Sequence, residues 1–226
     1  MNIILIGYRG AGKSAVGKRL AGRLRMRFVD IDDLVEESHG ASIREIVESA
    51  GWEHFRAMEK ATIQKIAQQN GFIIAPGGGA VLDPENVKSL KNRGLIVWLK
   101  AEPEVLAERM SSDPQTIGSR PTLTGKGTLA EIREVMSSRE SIYKKAATIE
   151  LDTSTLDIEA VVEKVLSILQ KRLDTAEGHC DPAKAGREAR GDVALPVKGE
   201  IASLRPEDHA LPGFPRNDCD LGEERG

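Results

Sequence analysis

The chain has 226 residues, with 40% hydrophobic and 30% charged residues and a net charge of −3. That length suits one α/β domain with some excess, and the balance gives no global basic field for nucleic acid. No apolar run approaches the roughly 18 residues of a membrane span, and the apolar start, Met1 to Ile6, is too short and lacks the basic residues of a signal peptide.

Asn2 to Ile6 reads as a buried strand. Lys13 to Arg25 follows at helical spacing, with Val16, Leu20 and Leu24 on one face. Phe28-Val29 is a second short strand that runs into Asp30-Ile31-Asp32-Asp33. Helical pieces are expected over 33–38, 43–49 and 52–69, with Gly71 as the stop. Phe72 to Ala75 is a third strand ending in Pro76-Gly77-Gly78-Gly79. Asp83-Pro84 reads as an N-cap followed by the first helical position. Leu95 to Leu99 is a fourth strand, and Glu102-Pro103 opens a helix to about Met110. Residues 111–127, rich in Ser, Thr, Pro and Gly, read as a long loop. A helix over 128–145, a strand over 148–151 and a helix over 158–173 complete the body. Strands separated by helices imply a five-stranded parallel sheet covered on both faces.

The composition changes at Asp174. Residues 174–226 hold five of the ten prolines, and their 12 acidic and 7 basic residues give −5, which leaves +2 for residues 1–173. Too little apolar surface is present there to offset the entropy of ordering, so the domain is expected to span 1–173 and the tail 174–226 to be disordered. Both cysteines, Cys180 and Cys219, fall in the tail, which excludes a disulfide framework for the body and points to the reducing cytoplasm. Neither His179-Cys180 nor His209 with Cys219 fits a standard zinc spacing.

Gly7-x-x-x-x-Gly12-Lys13-Ser14 matches the phosphate-loop pattern, with a strand before it and a helix after it. The glycines let backbone N–H groups turn inward as an anion nest, and the helix start adds its dipole. Lys13 can neutralise the β- and γ-phosphates of ATP, and Ser14 can ligate Mg²⁺. The loop therefore points to an ATP-dependent enzyme that acts on a small molecule. Two readings compete for the aspartates at the end of the second strand. In one, Asp30 holds Mg²⁺ and Asp32 takes a proton from an attacking hydroxyl. In the other, Asp32 or Asp33 only caps a helix. Arg56 and Arg139 lie on helices and by themselves read as solvated surface residues. Gly77-Gly78-Gly79 offers bare backbone to a ligand or is simply a flexible turn. Arg120, in the long loop, could reach transition-state charge if that loop is a lid.

Taken together, the phosphate loop, Asp30-Ile31-Asp32, Phe55-Arg56-x-x-Glu59, the triple glycine, Arg120-Pro121 and Arg139-x-x-x-Tyr143 resemble the shikimate kinase family over residues 1–173. The resemblance implies a nucleoside-monophosphate-kinase-like P-loop fold with a lid, and transfer of the ATP γ-phosphoryl group to the 3-hydroxyl of shikimate on the route to aromatic amino acids. It implies that Gly10, Ala11, Gly12, Lys13, Ser14 and Ala15 bind the ATP phosphates, that Ser14 and Asp30 serve Mg²⁺, and that Arg109 stacks on adenine. It assigns catalysis to Asp32, Lys13 and Arg120, the last also to the phosphates. Asp32, Arg56, Gly78, Gly79 and Arg139 would hold shikimate, and a cytoplasmic monomer is expected. The stretch between Arg109 and Arg120 is longer than the family pattern, and the tail has no counterpart in it. A kinase of another hydroxyl compound such as gluconate, or an inactive nucleotide-binding relative, are the alternatives. The two arginines disfavour the first, and the presence of Lys13, Asp30 and Asp32 disfavours the second.

Overall fold

The computed structural model describes residues 1–112 and 128–177. Five strands form one parallel sheet: β1 (Asn2–Ile6), β2 (Arg27–Asp30), β3 (Phe72–Ala75), β4 (Gly94–Lys100) and β5 (Ile149–Asp152). Their spatial order is β2-β3-β1-β4-β5, so β1 is central, with Ile4 beside Ile74 on one flank and Ile96 on the other. Side chains alternate along β1 between two cores. Ile3 and Leu5 join one, with Val16 and Leu20 of α1 (Lys13–Leu24) and Val162 and Val165 of α7 (Ile158–Glu177). Ile4 and Ile6 join the other, with Ile31 and Leu34 of α2 (Ile31–His39) and Phe55 and Ile63 of α3 (Ile43–Ala67). A period of two with both faces apolar is what a sheet covered on both sides requires. The expected fold class is the observed one.

Three further α-helices and a 3₁₀ turn (Ala80–Leu82) complete the described elements: α4 (Pro84–Lys91), α5 (Pro103–Ser111) and α6 (Thr128–Ala146). Asp83 caps α4 by accepting from the Glu85 N–H, with Pro84 at the first position, as its sequence suggests. The start of α3 carries a reciprocal capping box between Ser42 and Glu45. Two helical runs meet at Gly51 within α3, as its sequence suggests, because the φ of 81° and ψ of 168° at that residue are non-helical. Helix α7 runs past Leu173 to Glu177. The change in composition at Asp174 is not a helix stop, and the first strong stop signal is Gly178. The rest of the expected tail, with both cysteines, and the expected lid with Arg120, lie outside the described residues.

Candidate active site

In an open parallel sheet, ligands bind beyond the carboxyl ends of the strands, where neighbouring connections diverge. Here the loop after β1, the start of α2 after β2 and the turn after β3 meet at that edge. They border a cleft of about 1010 Å³. Every described residue expected at the site lines it: Gly10 to Ser14 and Ala15 from the loop, Asp30 and Asp32, Arg56, Gly78 and Gly79, Arg109 and Arg139.

The loop is built for an anion. Gly10 and Gly12 adopt φ of 79° and 88°, the left-handed region that favours glycine. A Cβ on Gly10 would also sit 3.1 Å from the Leu106 carbonyl oxygen, so α5 packs directly on the loop. Lys13 folds back over the loop and donates to the carbonyls of Gly7 at 3.1 Å and Tyr8 at 3.2 Å. Its ammonium is thereby held above the nest of N–H groups.

Ser14 donates to Asp30 Oδ2 at 2.7 Å, and Asp30 Oδ1 accepts from the Asp32 N–H at 3.1 Å. Asp30 is therefore the cap of α2, which rules out Asp32 or Asp33 as the cap, the second of the two competing readings. The reason is that β2 passes into α2 with no linker, so the last residue in extended geometry (φ −97°, ψ 126°) is Asp30. Asp30 and Asp32 consequently do not share one extended segment: Asp32 is in the first helical turn. Both still face the cleft, with Asp33 beside them. Burial raises the Asp30 pKa above the ordinary carboxylate range, and the neighbouring Asp32 charge raises it further, while the Ser14 hydrogen bond opposes both.

Across the cleft, Arg56 donates to Glu59 at 2.5 Å. The Glu59 side chain is fully buried while that of Arg56 is 31% exposed, so the guanidinium is anchored from below and open above. Trp52, one turn earlier on α3, lies 5.6 Å from the Arg56 guanidinium carbon and also lines the cleft. A side chain at Gly79 would collide with that guanidinium, so Arg56 and the triple-glycine turn pack against each other. The turn is held from the other side by Tyr143, whose O–H donates to the Gly78 carbonyl at 2.5 Å. Arg139, one turn before Tyr143 on α6, faces the cleft, and its positive charge acts on that same hydroxyl. Neither Arg56 nor Arg139 is the freely solvated arginine that each resembles in isolation; both are half-buried.

Arg109 sits at the far end of the cleft from these arginines. Its guanidinium donates to the Thr153 carbonyl at 2.7 Å and the Thr153 hydroxyl at 3.3 Å, beside Leu156 and Ile158. The sequence reading gave no role to Glu59, Trp52 or Tyr143. Helical spacing was the available signal: Trp52 and Glu59 lie at i−4 and i+3 from Arg56, and Tyr143 at i+4 from Arg139.

A family model described as shikimate kinase matches residues 9–170. A curated relative from Syntrophus aciditrophicus (strain SB), named shikimate kinase, is 39% identical over 76% of this chain and 92% of its own length. The solved structure of shikimate kinase from Acinetobacter baumannii in complex with shikimate superposes with a TM-score of 0.71 at 29% identity, covering 76% of this chain and 93% of that one. A gluconokinase from Sinorhizobium meliloti 1021 superposes with a TM-score of 0.52 at 18% identity, covering 79% of this chain and 97% of that one, and so shares the fold alone.

Proposed function

The chain belongs to the shikimate kinase family, and from that premise we propose that it transfers the γ-phosphoryl group of ATP to the 3-hydroxyl of shikimate. The observation that supports this most is the pairing of a phosphate loop with two arginines, Arg56 and Arg139, in one cleft. The donor half is the loop from Gly10 to Ala15, with the Lys13 ammonium beside the β- and γ-phosphates. In the acceptor half, Arg56 and Arg139 present planar forks that match a carboxylate, and Gly78 and Gly79 offer bare backbone, at Gly79 where a side chain would collide with Arg56. Asp32 takes the proton of the attacking hydroxyl as its oxygen bonds to phosphorus and the bond to the bridging oxygen of ADP breaks. Arg109, at the other end, would lie against adenine, and Arg120 would reach the phosphates from the loop before α6.

The residues fit a hard divalent cation. Ser14 Oγ and Asp30 Oδ2 are oxygen ligands 2.7 Å apart, and a cation would favour the carboxylate charge that burial, and then the Asp32 charge, disfavour. Mg²⁺, when bound with ATP, neutralises phosphate charge. The reading includes a cytoplasmic monomer; no helix among the described residues is long and apolar enough to cross a membrane.

A coupled ADP-release assay with shikimate against gluconate tests the whole. Turnover with shikimate and none with gluconate is expected. Turnover with gluconate alone overturns the acceptor assignment, and ATP binding without turnover overturns catalysis.

A further inference from the structure

We propose that Tyr143 is a positioning residue for the acceptor: its hydroxyl ties the Gly78 turn to Arg139, so that the two acceptor contacts are set relative to each other before shikimate binds. The inference rests on the reading that Arg139 and Gly78 meet the acceptor.

Tyr143 is only 2% exposed, and its ring stacks on Trp98 of β4 with centroids 5.5 Å apart and planes 14° from parallel. That packing leaves the hydroxyl little freedom. The O–H donates to the Gly78 carbonyl at 2.5 Å, and the Arg139 charge, one turn earlier on α6, acts on the same hydroxyl. A phenol has one donor and two acceptor sites, so it can accept from Arg139 while it donates to Gly78. Burial pushes the Tyr143 pKa up to about 12, so the group remains a donor throughout the working range. Space at Gly78 is equally defined. A Cβ there would lie 3.4 Å from the Tyr143 oxygen and 3.3 Å from the Gly7 carbonyl oxygen. The turn is therefore held between this hydroxyl and the phosphate loop. One atom of α6 thus links an arginine on its own helix to a turn 65 positions earlier in the chain. Without it, Arg139 would have to be ordered by the ligand, at a cost in affinity.

Tyr143→Phe removes the hydroxyl and keeps the stacked ring. The expected result is a KM for shikimate raised about tenfold, the scale of one lost charge-assisted hydrogen bond. Both kcat and the KM for ATP should stay within about twofold, the signature of lost ground-state binding. Combined with Arg139→Ala, the two changes should be far from additive, because they act through one contact. Trp98→Phe is the packing control: it keeps the hydroxyl, and should lower the melting temperature without moving the KM for shikimate. An unchanged KM in Tyr143→Phe, a rise shared by both substrates, additive effects with Arg139→Ala, an equal KM shift in Trp98→Phe, or failure of Tyr143→Phe to fold would each overturn the proposal. Arg139→Ala with an unchanged KM would instead overturn the carboxylate assignment on which it rests.

Discussion

Glu59→Gln isolates the anchoring of Arg56. The Glu59 carboxylate is fully buried, and Arg56 donates to it at 2.5 Å while remaining 31% exposed. Glutamine has the same shape, and its Oε1 can still accept, so the substitution removes charge and leaves no cavity. Arg56 keeps its charge, so a cation–carbonyl bond remains, and of the about 1.5–3 kcal/mol that a charge-assisted bond contributes roughly 1 kcal/mol is lost once the exposure of Arg56 is allowed for. If that anchoring sets the arginine for a carboxylate, the KM for shikimate should rise about fivefold, with kcat and the KM for ATP unchanged. Glu59→Ala goes further. It opens a void and leaves the guanidinium without its buried counter-charge, which should cost about 2–4 kcal/mol, or roughly 5–15 °C in melting temperature. The assay is ADP release with each substrate varied at saturation of the other, beside a melting scan. A folded Glu59→Gln enzyme with an unchanged KM for shikimate would refute the anchoring. A lowered KM would mean that the Glu59 charge opposes the acceptor carboxylate more than its hydrogen bond helps, which also defeats the reasoning.

Asp32→Asn should lower kcat by roughly 10²–10⁴ if the carboxylate takes the hydroxyl proton, whereas an effect confined to KM would make it a positioning group. Burial and the Asp32 charge raise the Asp30 pKa, so the folded protein holds that proton more tightly than the unfolded chain. In the absence of nucleotide this contribution to stability is fully present below the ordinary carboxylate pKa and is lost as pH rises through the raised value. Asp30→Asn should therefore melt higher than wild type at neutral pH without ligand, because asparagine still caps α2 and Ser14 can reverse its hydrogen bond. A lower melting temperature would count against the burial argument, and wild-type kcat/KM for ATP should fall on acidification through the same window. Truncation after Glu177, the last residue of α7, should leave activity within about twofold, because the family model ends at residue 170. A collapse of activity would give the remaining residues a catalytic part.

The sheet and its order of helices were legible because β1, β3 and β4 are short apolar runs bounded by glycine, and α1 and α7 repeat their apolar residues at helical spacing. The phosphate loop was legible because its chemistry is contiguous: strand, glycines, lysine and serine occupy neighbouring positions. The aspartates were harder. Their residue types favour a cap as much as a ligand, and only the direct passage of β2 into α2 decides that Asp30 is the cap, with its other oxygen bonded to Ser14. The arginines were opaque for a different reason. An arginine on an amphipathic helix looks the same whether water or a buried glutamate lies beneath it. The partners Glu59 and Tyr143 stand at i+3 and i+4 on the same helices, and what separates the cases is that tertiary packing buries them.

This difference follows from how the two halves are built. The donor half needs groups that one turn of chain can supply, because a phosphate is bound by consecutive N–H groups at a helix start. The acceptor half needs charges on opposite sides of a small molecule, which no single turn can supply. On the proposed function it therefore draws on α2, α3, the turn after β3 and α6, whose residues line the cleft. Its geometry depends on how those elements pack. Arg56 rests on Glu59 and crowds Gly79, Gly78 is bonded to Tyr143, and Tyr143 is stacked on Trp98 in the core. Substitutions that loosen this packing should weaken acceptor binding before they weaken ATP binding. In the phosphate loop the order reverses: the backbone angles of Gly10 and Gly12 are the site itself, so a side chain at either position should act on ATP first.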